Sequence, residues 1–60
     1  MNLNDFKNAI EDYIINSEQD LNDWDIEEAA REMRDMFTEA ESIDDVDPDE
    51  FTEILQRNEM

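Results

Sequence analysis

Leu3, Phe6, Ile10, Tyr13 and Ile14 recur at the spacing of one helical face, with Ala9 between them. This spacing predicts an amphipathic helix over residues 3–16. Asn2 is placed to cap it, because an Asn side chain accepts from the free N–H groups of a first turn. Asp5, at the third helical position, suits the positive end of the helix dipole. The chain contains no Gly, so Asn16 is the residue expected to close this helix. Residues 16–23 are polar apart from Leu21 and read as a connection or one irregular turn.

A second stripe runs through Ile26, Ala29, Ala30, Met33, Met36, Phe37 and Ala40. It is broad enough for a helix packed against two neighbours, over residues 25–40. Asp25 followed by Glu28 has capping-box spacing, with Trp24 just outside. The third helix, 48–58, is announced by Asp47-Pro48-Asp49-Glu50: a cap residue, a Pro at the first helical position and two acids in the first turn. Val46 and Phe51 occupy the positions of a hydrophobic staple, and Phe51, Ile54 and Leu55 are expected to face inward. Between these helices Ser42-Ile43-Asp44-Asp45 can form one helical turn, with Ile43 plugging the end of the bundle.

No alternating strand pattern and no internal repeat is present, so the fold class is all-α, a compact three-helix bundle forming a single domain over residues 1–60. Ile15 lies off the first apolar stripe. It either covers the turn that follows or offers a contact to another chain.

Composition then narrows what such a bundle can do. Twenty Asp or Glu stand against four Lys or Arg, for a formal charge of -16. A domain of this length buries only about 60% of its unfolded surface, so its core is thin and no sizeable substrate pocket is expected. With no Cys and no His, disulfides, thiolate chemistry and the usual neutral-pH base are all missing. Ser17 and Ser42 have nothing to activate them, and there is no Gly-rich phosphate loop; the chain is expected to be no enzyme and to use no cofactor. Its apolar runs are far shorter than a membrane span and its start has no signal-like pattern, which predicts a cytoplasmic protein.

The most informative charge pattern is Glu28, Glu32, Asp35 and Glu39, spaced to line one edge of the second helix. Like charges at such spacing destabilise a helix by ~0.2–0.5 kcal/mol each, and Glu27–Arg31 and Arg31–Asp35 pairs would relieve only part of it. Selection for stability alone would place Lys or Arg there, although a merely solvated acidic face would look the same. A second cluster, Asp44, Asp45, Asp47, Asp49, Glu50 and Glu53, surrounds the start of the third helix, where part of it serves the helix dipole. Asp45-x-Asp47-x-Asp49 is not a calcium loop: Pro48 interrupts it, no Gly provides the turn and Gln56 replaces the twelfth-position Glu. No specific metal site is expected.

In charge, length and helical character the whole chain resembles the small acidic proteins of phages and mobile elements that inhibit nucleic-acid-handling enzymes by imitating DNA, including anti-CRISPR proteins. The resemblance rests on no residue motif, so it assigns no residue a role. It implies a non-catalytic inhibitor that docks on a basic surface of a nucleic-acid-binding protein or complex, in the host cytoplasm if phage-encoded. Direct contact with nucleic acid or an anionic membrane is disfavoured by repulsion. On the residues alone, Glu28, Glu32, Asp35 and Glu39 are the main candidate ridge and Asp44, Asp45, Asp49 and Glu53 a second. The competing reading is a small interaction module or oligomer subunit, a homodimer among them, that binds through apolar contacts at Trp24, Ile15 or the third helix. A segment that completes its helices only on a partner is a third.

Overall fold

The computed structural model describes residues 1–60. Three helices run in chain order: α1, Leu3–Asn16; α2, Ile26–Met36; and α3, Pro48–Arg57. Single 3-10 turns, Leu21–Asp23 and Ile43–Asp45, interrupt the two connections. α2 packs against both other helices, as its broad stripe requires. The result is an all-α three-helix bundle, 29 × 20 × 19 Å.

Local sequence accounts for most helix ends. Asn2 accepts from the Asp5 N–H at 2.9 Å while Asp5 accepts from the Asn2 N–H at 3.1 Å, a complete capping box. Asp47 caps α3 through the Asp49 N–H at 2.9 Å, Pro48 opens it, and the staple residues Val46 and Phe51 are both buried. At α2 only half the box forms. Asp25 accepts from the Glu28 N–H, but the Asp25 N–H is taken up by the Asn58 carbonyl at 2.8 Å.

Two ends differ from the sequence expectation. α1 is closed by Ser17 and Glu18, not by Asn16: Glu18 takes the left-handed backbone, φ 59°. Its N–H donates to Ile15 O at 3.0 Å and the Gln19 N–H to Ile14 O at 3.1 Å, the two bonds of a Schellman motif. A Glu there carries the Cβ strain a Gly would avoid. α2 stops at Met36, four residues before Ala40. The Phe37 N–H closes the last turn on Met33 O at 2.8 Å, and Ala40 then turns back onto Phe37 O. Beyond that turn the chain is held by α1 and by the start of the chain. The Phe37 ring stacks on Phe6 at 6.4 Å, and the Met1 amino group donates to Ala40 O at 2.6 Å.

The core joins Phe6, Ile10 and Ile14 of α1 to Ala29, Ala30 and Met33 of α2 and Phe51, Ile54 and Leu55 of α3. Ala29 and Ala30 on α2, the helix that packs against both others, are fully buried. Trp24, 7% exposed, seals one end. It pairs with Glu59 in a single antiparallel bridge, where the Met60 N–H also reaches Asp23 O at 2.7 Å; the Trp24 indole N–H has no partner. No helix is long and apolar enough to cross a membrane.

Candidate functional site

No polar or charged side chain is buried, so every one of the twenty carboxylates reaches the surface. They are not equivalent there. On α2, Arg31 holds Glu27 at 2.8 Å and lies 4.0 Å from Glu28. Asp35 lies 3.7 Å from its neighbour Arg34, in place of the expected Arg31–Asp35 pair. All of these groups are about half exposed or more, where an ion pair contributes little to stability but still lowers the local field.

Glu32 has a structural partner. The Asn58 side chain, just beyond α3, donates to Glu32 at 2.6 Å and to Ile54 O at 2.9 Å. Asn58 thereby ties the middle of α2, and through its carbonyl the start of α2, to the end of α3. Glu39 lies in the turn after Met36, off the helix. The expected four-residue ridge is therefore reduced on α2 to Glu28, Glu32 and Asp35, of which Glu32 is half-buried. Sequence spacing gave no sign of Asn58, because the bond spans 26 positions.

The second cluster is less encumbered. Asp45 accepts from the Glu41 N–H at 3.1 Å and Asp47 from the Asp49 N–H. Asp44, Asp49 and Glu53 are exposed and take part in none of the three ion pairs, all of which lie within α2. Nowhere do three acids gather in a group that could hold a metal ion. Thus the cluster around the start of α3 presents the freer negative charge.

No family model, curated protein or solved structure matches this chain.

The apolar surface is also distributed differently from expectation. Trp24 is buried, and on α3 Ile54 and Leu55 are enclosed in the core, while Phe51 and Pro48 reach the edge of a surface hollow. Ile15 is 57% exposed. Met36, placed in the second stripe, is 52% exposed at the end of α2. Ile43 does not plug the bundle: it is 45% exposed and forms one wall of an apolar hollow between α1 and α3. Tyr13, also lining it, lies edge-on to Phe51, ring centres 5.6 Å apart. A lone Ile within an acidic linker was the sequence signal for that hollow.

Proposed function

We propose that this bundle is a non-catalytic inhibitor, of the anti-CRISPR kind, that occupies a basic nucleic-acid-binding surface by presenting a DNA-like density of negative charge. One observation supports this above all. Duplex DNA carries one phosphate charge per ~1.7 Å of axis, so a stretch as long as the bundle's 29 Å axis carries roughly 17. The chain's net charge is -16, held at the surface of a packed core rather than on a loose chain. A Lys- and Arg-lined groove that releases counterions on binding DNA would release them on binding this surface also.

The candidate docking residues are Asp44, Asp49 and Glu53, with Asp45 beside them in sequence, and on α2 Glu28 and Asp35; Glu32 and Glu39 contribute charge outside a regular ridge. The alternative, a module that binds through apolar contacts alone, is favoured by the exposure of Tyr13 and Ile43. Salt separates the two. In competition with duplex DNA for a purified CRISPR effector or other basic DNA-binding protein, displacement should be strong at about 0.05 M salt. It should weaken at least a hundredfold by about 0.3 M. Affinity indifferent both to salt and to the combined change Asp44→Lys, Asp49→Lys and Glu53→Lys refutes the proposal.

A further inference from the structure

The hollow between α1 and the start of α3 has a volume of about 300 Å³ and is lined by Ala9, Tyr13, Ile43, Val46, Phe51 and Pro48 among others. Ala9 and Ile43 also line a second cleft of about 480 Å³ with Asp5, Asp12 and Glu41; Met1 lines it as well, its amino group donating to Ala40 O, which leaves three carboxylates against one ammonium. An apolar seat and an acidic cleft thus share one wall. We infer that this paired groove takes a cationic amphipathic segment of the partner protein, with one large apolar side chain in the seat and Lys or Arg over the acids. The inference rests on the proposed docking to a basic surface and names the contact that would give it specificity.

Charge decides the occupant. A second copy of the chain would bring another -16 to the same face, which repulsion opposes. A basic segment is attracted, and on a helix a Lys one turn from an apolar anchor stands about 5–6 Å away at Cβ, a step from the seat to the neighbouring cleft. Long-range attraction speeds the encounter, while a desolvated apolar anchor supplies most of the discrimination among basic partners.

The probe is a short synthetic helix of Leu, Lys and one Trp, titrated into the isotope-labelled protein by NMR. Resonances of Ala9, Tyr13, Ile43 and Phe51 should shift together. Ile43→Ser should weaken binding about tenfold, whereas Ile15→Ser, an exposed apolar change elsewhere on α1, should leave it unchanged; circular dichroism checks that both variants keep their helices. Two altered peptides separate the claims. If the version with Ala for Trp and Leu binds as tightly as the parent, and Ile43→Ser has no effect, the groove is overturned and the acidic-surface proposal stands. If the version with Glu for Lys binds as well as the parent, the cationic occupant is overturned and the charge-based proposal falls with it. Self-association in high salt that Ile43→Ser abolishes assigns the groove to a second copy and also overturns the inference.

Discussion

On α2 the carboxylates face groups of their own chain: Glu27 and Glu28 share Arg31, Asp35 lies beside Arg34, and Glu32 accepts from Asn58. Around the start of α3, Asp45 and Asp47 cap backbone N–H groups, but Asp44, Asp49 and Glu53 stand exposed with no cation paired to them. The two regions have much the same residue types and opposite uses. Charge in the first is partly absorbed by ion pairs and a cross-helix bond, while in the second Asp49 serves the positive end of α3 but no cation is paired to Asp44, Asp49 or Glu53, and their charge remains available to a partner. A net charge read from sequence counts both alike, and only the arrangement tells which acids can act outward.

The sharpest way to break that contrast is to remove the bond that makes Glu32 structural. Asn58→Ala deletes two side-chain hydrogen bonds, one of them to a carboxylate, and should cost about 2 kcal/mol. For a domain whose whole stability is on the order of 3–9 kcal/mol, that is a large fraction, visible as a melting temperature lower by roughly 10 °C. Glu32→Gln keeps an acceptor oxygen and should cost less than Glu32→Ala, whereas Glu53→Gln and Glu53→Ala should be nearly equal and nearly neutral. A double-mutant cycle on Asn58 and Glu32 isolates the pair; a coupling close to zero would place Glu32 with the free acids.

Much of the architecture was legible because it is written locally. The α1 stripe with Asn2 and Asp5, and the Asp47-Pro48 start of α3 with its Val46–Phe51 staple, depend on residues within a few positions of one another. The end of α2 was not legible, for a physical reason. Phe37 and Ala40 continue the helical stripe in sequence, yet each is held by a distant partner, Phe6 and Met1, and contacts across 31 and 39 positions leave no mark in local spacing. The same limit hid the candidate site. Glu39 left the ridge with the shortened helix, Glu32 was claimed by a residue 26 positions away, and the apolar hollow needed α1, the linker and α3 together. Trp24 was ambiguous because its backbone pairs with Glu59, at the far end of the chain.

Glu18 sharpens the comparison from a third direction, since its side chain is exposed and its backbone is strained, φ 59°. Relief of the left-handed penalty is worth about 1–2 kcal/mol, and the greater freedom of Gly in the unfolded chain takes back about 0.4–1 kcal/mol. Glu18→Gly should therefore stabilise by roughly 0.5–1 kcal/mol, read as a shifted urea midpoint with unchanged slope. Glu18→Gln, which removes charge and keeps the strain, should move the midpoint much less. Equal shifts would mean that charge, not backbone, governs this turn.

The smallest expected effect bears most directly on which acids are idle. Asp44→Lys replaces an exposed, unpaired carboxylate by a cation amid like charges and should stabilise by a few tenths of a kcal/mol at low salt; Glu53→Lys should gain less, because Arg57 stands one turn further along α3. Glu28→Lys should gain less, because it also sets a cation beside Arg31 and at the positive end of α2. Screening supplies the internal control. Raising salt from about 0.02 to 0.5 M shortens the Debye length from above 10 Å to a few Å, so the native chain should become more stable and the gain from each lysine should shrink. Were Glu28→Lys to stabilise as much as Asp44→Lys, with the same salt dependence, the α2 acids would be as free as those around α3. The docking surface would then extend across both regions without distinction.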